Sequence, residues 1–207
     1  MDFDRTVELE TEQGEPLTYG IVDGGSPVVF IKSGLGGSAR GYEDKYVRMA
    51  RMLNARYGSL VITSSNPMTG ADAYLTDHQI IKRCKAENGI DDAEVYCFGA
   101  SDGGKRVLLL ASLGAEYTRI MTVNTPIMFD THKLKAYMEA VSDRRLIAVY
   151  GENDPSFKYT PLLKTYGIND ISLFKVSGAD HQFVGMLKEY ISLPVLLFDE
   201  FSGGGQY

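Results

Sequence analysis

The chain has 207 residues, 44% of them hydrophobic, which is enough to bury one sizeable core and favours a single domain. With 21 basic and 27 acidic residues its net charge is −6, and no basic run or aromatic-basic stripe offers a surface for nucleic acid. The opening segment MDFDRTVELE has no apolar signal core, and the longest apolar runs fall far below the ~18 residues of a membrane-spanning helix. We therefore expect a soluble cytoplasmic protein with no membrane partner.

Strand-like apolar segments alternate along the chain with segments of helical periodicity. In chain order the strand-like segments are TVELET, LTYGIV, PVVFIK, SLVITS, AEVYCF, RIMTVN, RLIAVY and ISLFKV. The first two predict an antiparallel hairpin, whereas strands separated by helices pair in parallel and are covered on both faces. A closing helix is expected from about Phe183. The pattern predicts one α/β domain over residues 1–203, with a mostly parallel sheet of about eight strands, helices on both faces and a disordered tail at 204–207.

The segment EVYCFGASDGGKRVLLLA combines a buried strand, a G-x-S-x-G turn and a helix in direct succession. A strand that turns into a helix within one residue strains that residue, and Gly99 and Gly103 provide room for the close backbone approach. Ser101 would then be raised above the sheet edge, with the Asp102 N–H at the positive end of a helix. The turn makes Ser101 the candidate nucleophile; the alternative is a glycine-rich turn with a capping serine.

A serine hydroxyl needs a neighbouring base, and the chain has three histidines. His78 and His132 lie in helical segments, where a surface histidine needs no special role. His181 lies in the loop SGADHQFVG, directly after the last strand, on the side where the strands end. This position makes His181 the candidate general base.

The orienting carboxylate is best supplied by Asp154, which follows the strand RLIAVY in a turn stiffened by Pro155. Asp170 precedes a strand and would lie at the opposite edge of a parallel sheet, and Asp180 is too close to His181 in sequence to reach its ring nitrogen. A turn aspartate that bonds its own backbone is the alternative for Asp154.

The order Ser101, Asp154, His181, each after a predicted strand, resembles the α/β-hydrolase superfamily from about residue 5 to the last helix. The resemblance implies a central, mostly parallel sheet that carries a catalytic triad. In that triad Ser101 would be the nucleophile, His181 the base and Asp154 the orienting carboxylate.

The same resemblance implies an oxyanion hole in the loop after PVVFIK, which reads Ser33-Gly34-Leu35-Gly36-Gly37. Family members commonly have His-Gly-x-Gly-Gly here. The glycines match, whereas Ser33 replaces the histidine that usually braces the loop. Because the hole uses main-chain donors, we assign it to the N–H groups of Leu35 and Asp102. The alternative is a flexible glycine turn.

The connection between RIMTVN and RLIAVY leaves room for one helix, so the sequence predicts no lid and an open site for small substrates. Ile127, Met128 and Phe129 would form an apolar wall there, unless they are core residues. Arg40 would recognise an anionic group unless it is merely solvated. The residues expected to shape the substrate site lie on loops at the catalytic edge: Arg40, Tyr42, Asn66, Met68, Ile127, Phe157 and Phe183.

No cofactor or metal is expected. Cys84 and Cys97 lack the spacing of a metal or redox motif and are interpreted as buried thiols. No cluster of histidine, cysteine and carboxylate residues has ligand spacing. The glycines at Gly34 and Gly36 lack the third member of a dinucleotide fingerprint.

These residues predict a serine hydrolase that cleaves small carboxylic esters or related acyl compounds through an acyl-enzyme, with a small acyl compound as its partner. An acyltransferase with the same triad is one alternative. A non-catalytic ligand-binding protein on the same scaffold is another. The sequence leaves the acyl group, the leaving group and the oligomeric state open.

Overall fold

The computed structural model describes residues 1–68, 74–128, 131–166 and 171–199. Its centre is an eight-stranded sheet in the order β1-β2-β4-β3-β5-β6-β7-β8. The strands are β1 (Arg5–Glu10), β2 (Pro16–Val22), β3 (Gly25–Lys32), β4 (Ser59–Ser64), β5 (Val95–Ala100), β6 (Tyr117–Val123), β7 (Arg145–Gly151) and β8 (Ile171–Val176). The pairs β1/β2 and β2/β4 are antiparallel and the other pairs are parallel. The predicted mostly parallel sheet is confirmed.

Strand position explains strand composition. Every residue of β4 and β5 is buried, as expected for strands covered on both faces. The edge strand β1 instead alternates between exposed and partly buried residues along its length. The apolar runs of the sequence therefore mark the middle of the sheet, where the site-bearing loops begin.

Helices cover both faces of the sheet, as predicted. They are α1 (Lys45–Tyr57), α2 (Tyr74–Glu87), α3 (Asp102–Ser112), α4 (Thr131–Ala140), α5 (Pro161–Thr165) and α6 (Leu187–Ser192). One core cluster joins the sheet to α1 and α6, through residues such as Met49, Leu53 and Tyr190. A second cluster on the other face joins it to α2, α3 and α4, through residues such as Ile80 and Leu108. The two cores fix the sheet between layers of helix.

The closing helix begins at Leu187, later than the predicted start near Phe183. Phe183 has a φ of 57°, in the left-handed region that interrupts a helix. The carboxylate of Asp180 accepts the N–H groups of Gln182 and Val184, which folds this stretch into a turn. The apolar residues Phe183 and Val184 therefore lie in a loop, and the helix begins after them.

Between β6 and β7 the described residues contain one helix, α4, and no lid domain. Ile127 of this connection is buried and Met128 is exposed, whereas Phe129 and the tail at 204–207 lie outside the described residues. In the described part of the chain, no helix combines the length and apolar character needed to cross a bilayer.

A buried polar cluster lies where β3 and β4 end, and we call it the Lys32 cluster. It consists of Lys32, Ser64, Asp77 and Tyr19. The Lys32 Nζ lies 2.8 Å from the Asp77 carboxylate and 2.9 Å from the Ser64 hydroxyl. The Tyr19 and Ser64 hydroxyls donate to the same carboxylate at 2.8 and 2.9 Å. Burial lowers the pKa of Lys32 and the Asp77 carboxylate opposes that shift. The cluster ties α2 to the end of the sheet.

Candidate active site

Ser101 occupies the turn between β5 and α3 in a strained backbone conformation, with φ 51° and ψ −122°. A Cβ on Gly99 would come within 2.5 Å of the Gly103 carbonyl oxygen, and one on Gly103 within 2.3 Å of the Ser33 carbonyl oxygen. Both positions therefore require glycine, for the crowding that the sequence predicts. The turn raises the Ser101 side chain above the carboxyl end of the sheet.

The structure brings Ser101, His181 and Asp154 together in one chain of close contacts. The Ser101 Oγ lies 3.0 Å from the His181 Nε2, and the His181 Nδ1 lies 2.5 Å from the Asp154 Oδ2. The Asp154 side chain is fully buried, whereas 34% of the His181 side chain is exposed. This arrangement has the geometry of a nucleophile, a base and an orienting carboxylate.

Four further hydrogen bonds hold these three side chains in place. The second oxygen of Asp154 accepts the Ser156 N–H at 2.6 Å, which fixes the carboxylate. The Asn124 amide donates to the carbonyl oxygens of Asp180 and His181, each at 3.1 Å, and accepts the Gly151 N–H at 2.8 Å. Asn124 thus joins the ends of β6 and β7 to the histidine loop.

Sequence reasoning did not assign a role to Asn124. The signal was present, because Asn124 is a polar residue directly after a buried strand, as are Ser101 and Asp154. In the structure Asn124 has a φ of 49°, a region in which asparagine is favoured among the non-glycine residues.

The glycine loop after β3 is braced by side chains. The Ser33 hydroxyl donates to the Gly37 carbonyl oxygen at 3.0 Å, so Ser33 closes the loop on itself. The buried Asn66 donates to the Ser33 carbonyl oxygen at 3.2 Å and to the Asp102 carboxylate at 3.1 Å. A Cβ on Gly34 would lie 3.4 Å from the Ser101 Cβ, so the loop passes beside the serine.

Leu35 and Asp102 retain their roles as candidate oxyanion donors. Among the described residues, neither the Leu35 N–H nor the Asp102 N–H is used in a hydrogen bond. Leu35 lines the cavity that contains Ser101 and His181. An N–H group without a protein acceptor at such a place is available to a substrate oxygen.

The cavity at Ser101 and His181 has a volume of about 380 Å³. Of the seven residues expected to shape the substrate site, Tyr42 lines it. Phe183 lines an adjoining cavity of about 560 Å³, which shares four lining residues with the first: Tyr42, Lys45, Gln182 and Tyr190. Sequence reasoning missed several polar residues of the cavity at Ser101 and His181, among them Lys45, Tyr46 and Tyr190.

The other five expected residues have different surroundings. Arg40 pairs with Asp2 at 2.5 Å and with Asp44 at 2.8 Å, and its charge is satisfied there. Ile127 is fully buried in the core on the α2–α4 face, and Phe157 packs against the same core.

Asn66 is buried against the glycine loop, as described above. Met68 is largely exposed, and its sulfur would lie 2.5 Å from a Cβ on Gly36. Both residues therefore lie next to the loop after β3, and neither is among the residues that line the cavity at Ser101 and His181.

Within the four described ranges, no group of three or more histidine, cysteine, aspartate or glutamate residues is arranged to hold a metal ion. Cys84 and Cys97 are buried and unpaired with each other. Burial raises the pKa of the Cys84 thiol to about 11 and that of Cys97 well above its ordinary value. Such thiols act as small apolar groups.

No protein-family model matches the chain, and no curated protein sequence matches it. Solved structures are similar over nearly the whole chain. An α/β serine hydrolase homologue from Coxiella burnetii has a TM-score of 0.68 at 16% identity, with 95% of this chain and 98% of that chain covered. Est1E from Butyrivibrio proteoclasticus has a TM-score of 0.63 at 15% identity, with 92% and 97% covered.

Dienelactone hydrolase from Anabaena variabilis has a TM-score of 0.68 at 15% identity, with 94% of this chain and 95% of that chain covered. Likeness at this level of identity establishes architecture and leaves chemistry to the site itself. The strand order, the turn at Ser101 and these neighbours agree, and the chain has the α/β-hydrolase fold.

Proposed function

We propose that the protein is a serine hydrolase that cleaves small carboxylic esters or related acyl compounds. The observation that carries the proposal is the continuous contact from Asp154 through His181 to Ser101, at 2.5 and 3.0 Å, on the wall of an open cavity. A serine hydroxyl is a weak nucleophile, and a base oriented by a buried carboxylate is what activates it. The names of the structural neighbours, a serine hydrolase homologue and a dienelactone hydrolase among them, favour the same class.

In the first half of the reaction, the Ser101 Oγ attacks the substrate carbonyl carbon while the His181 Nε2 takes the hydroxyl proton. The carbonyl oxygen becomes negative and accepts hydrogen bonds from the Leu35 and Asp102 N–H groups. One such donor contributes about 3 kcal/mol to the transition state in related chemistry. His181 then gives its proton to the leaving group, and the acyl group remains on Ser101.

In the second half, water enters through the open side of the cavity and His181 takes one of its protons. The hydroxide adds to the acyl carbon, the bond to the Ser101 Oγ breaks, and His181 returns the proton to that oxygen. The Asp154 carboxylate accepts the His181 Nδ1–H and stabilises the imidazolium that forms. The partial exposure of His181 is compatible with this direct access of water.

Labelling with a fluorophosphonate probe tests whether Ser101 is activated. We expect the wild-type chain to be labelled and Ser101→Ala and His181→Ala to remain unlabelled. Ser38→Ala is the matched control, because Ser38 is an exposed serine on the same cavity whose hydroxyl accepts the Gly41 N–H instead of meeting a histidine. Equal labelling of wild type and Ser101→Ala would contradict the proposal, and an unlabelled wild type would favour a ligand-binding protein.

A panel of 4-nitrophenyl esters of increasing acyl length then tests the substrate size. The cavity of about 380 Å³ lies near the lower end of ordinary ligand sites, and no lid domain is present in the described residues to cover a long chain. We expect kcat/KM to be highest for short acyl chains. Faster turnover of long-chain esters would contradict the assignment to small substrates.

A further inference from the structure

A lysine lies on the wall of the catalytic cavity. Lys45 is the first residue of α1, and it is half-buried among residues that line the same space as Ser101 and His181. Its Nζ lies over two aromatic rings, 4.3 Å from the centre of Tyr190 and 5.1 Å from that of Tyr46. The rings attract the positive charge of the ammonium group. They do not provide an oxygen or nitrogen acceptor for its three N–H groups.

The charge of Lys45 has no carboxylate partner among the residues that the structure describes. Asp44, its neighbour in sequence, pairs with Arg40 at 2.8 Å. Burial lowers the pKa of Lys45, and within the four described ranges no acidic group offsets that shift as Asp77 does for Lys32. A half-buried ammonium in this state is stabilised by an anion that enters the cavity.

The two aromatic residues beside Lys45 also offer a donor. The Tyr46 and Tyr190 hydroxyls are both buried and lie 3.4 Å apart. Burial keeps both protonated by raising the pKa of Tyr46 to about 12 and that of Tyr190 well above its ordinary value. One contact between two hydroxyls uses one of the two hydrogens, so the other hydrogen is available to a ligand at the cavity wall.

We propose that Lys45, with the Tyr46–Tyr190 pair, is a subsite for a carboxylate of the substrate, so that the natural substrate is an anionic ester. This inference rests on the proposed hydrolase function and adds the charge of its substrate. A carboxylate presents two oxygens, one for the ammonium and one for the free hydroxyl hydrogen. Because Lys45 and Ser101 share one small cavity, the carboxylate and the scissile carbonyl belong to the same short molecule.

The subsite replaces the role that the sequence suggested for Arg40. That guanidinium is already engaged by two carboxylates, whereas the Lys45 ammonium pairs with no carboxylate in the described part of the chain. The overall charge of −6 disfavours an anion at long range, so a local cation is needed for one to bind. Lys45 supplies that cation at the reacting end of the molecule.

The test compares esters that differ by one charge. On the acyl side, 4-nitrophenyl hydrogen glutarate is compared with its methyl ester; on the leaving-group side, 4-acetoxybenzoate is compared with its methyl ester. We expect wild type to prefer the anionic member of at least one pair in kcat/KM. Lys45→Met should lower that preference about tenfold or more, since a charge-assisted contact is lost, and Lys45→Arg should restore part of it.

Lys158→Met is the matched control. Lys158 also lies over a tyrosine ring, with its Nζ 5.0 Å from the centre of Tyr159, but it is exposed and is not among the residues that line the catalytic cavity. In Lys158→Met the ratio of kcat/KM for the anionic ester to kcat/KM for the neutral ester should equal that of wild type. A wild type without anionic preference in either pair, or a ratio that Lys45→Met leaves unchanged, would overturn the subsite.

Binding separates this inference from the hydrolase proposal. Glutaramate, an anion, and glutaramide, its neutral counterpart, are titrated into Ser101→Ala with and without Lys45→Met, followed by NMR. Tighter binding of glutaramate that Lys45→Met weakens about tenfold supports the subsite even if no ester is hydrolysed. Equal binding of both compounds overturns the subsite even if the fluorophosphonate probe labels Ser101.

Discussion

Two polar networks lie at the carboxyl edge of the same sheet and differ in how they end. The Lys32 cluster is closed, because the Lys32 side chain is fully buried and its partners are Asp77 and Ser64. In the network of Asp154, His181 and Ser101, the Asp154 side chain is fully buried. At the other end of this network 34% of the His181 side chain is exposed, and His181 and Ser101 line a cavity. Similar charged groups thus stabilise the fold in one place and lie beside a cavity in the other.

The contrast shows that burial alone does not identify a reactive group. Asp77 and Asp154 are both buried carboxylates that contact a basic side chain. In the Lys32 cluster every contact ends on another protein group, so its interactions contribute to stability. In the other network the last contact ends on a hydroxyl beside open space. Mutations in the first should change the free energy of unfolding, and mutations in the second should change the rate.

The largest effect is expected for Asp154→Asn. The amide is nearly isosteric and keeps an oxygen for the Ser156 N–H, but its NH₂ group faces the His181 Nδ1 and favours the wrong tautomer. We expect kcat to fall on the order of ten-thousandfold with little change in Tm. Ester kinetics and thermal unfolding of the same preparation measure both quantities. A variant that retains a tenth of the wild-type kcat would remove Asp154 from the mechanism.

Lys32→Met is expected to have the largest effect on stability. It leaves the Asp77 carboxylate buried without its cation, and breaking a buried pair in this way costs about 3–5 kcal/mol. Urea unfolding measures the loss, and fluorophosphonate labelling of the folded fraction should match that of wild type. The double variant Lys32→Met/Asp77→Leu should regain part of the loss. If the double variant is less stable than the single one, the pair is not the source of the effect.

Asn124→Gly tests the link between the sheet and the histidine loop. Glycine tolerates the φ of 49° and removes the amide that holds the Asp180 and His181 carbonyl oxygens. We expect kcat to fall about ten- to a hundredfold with little change in KM, because His181 loses its position while the cavity wall remains.

Asn153→Gly is the matched control for this variant. Asn153 is an exposed asparagine whose amide donates to the Gly178 carbonyl oxygen at 3.1 Å, in the same loop but away from His181. Its kinetics should resemble wild type. Equal losses in the two variants would mean that loop stability, and not the position of His181, explains the effect.

The smallest effect is expected for Tyr19→Phe. Burial raises the pKa of Tyr19, so its hydroxyl stays protonated and donates to the Asp77 carboxylate at 2.8 Å. Removing one of the donors to this carboxylate should lower the free energy of unfolding by about 1 kcal/mol, without changing kcat. Tyr42→Phe, at an exposed tyrosine, gives the reference for stability alone. A change in kcat for Tyr19→Phe would show that the Lys32 cluster and the active site are coupled.

The sheet was predictable because apolar runs mark strands directly, and β4 and β5 are buried at every residue. The order of Ser101, Asp154 and His181 was readable for a related reason: each follows a strand, and parallel strands end at one edge. Their close contact is a geometric observation, and their catalytic role is a proposal that the labelling experiment tests.

Other parts of the site depend on contacts between distant segments. Arg40 precedes α1 by a few residues and was expected to face a ligand, but Asp2 at the start of the chain reaches it. Lys45 lies next to Tyr46 in a helical pattern, and Tyr190 comes from α6 to complete the cavity wall. No local pattern in one sequence contains these pairings. Ile127 is a further example, because the sequence of an apolar loop residue does not tell whether it lines a pocket or packs in the core. In the structure it packs in the core.

The backbone at Ser101 has one more consequence. A φ of 51° with a ψ of −122° is comfortable for glycine and costs other residues on the order of 1–3 kcal/mol. Glycine at this position would relieve that strain, so we expect the serine to lower the free energy of unfolding relative to glycine. Ser101→Gly should therefore have a higher Tm than the wild-type chain. Calorimetry of the two proteins would measure the difference in Tm that the serine causes.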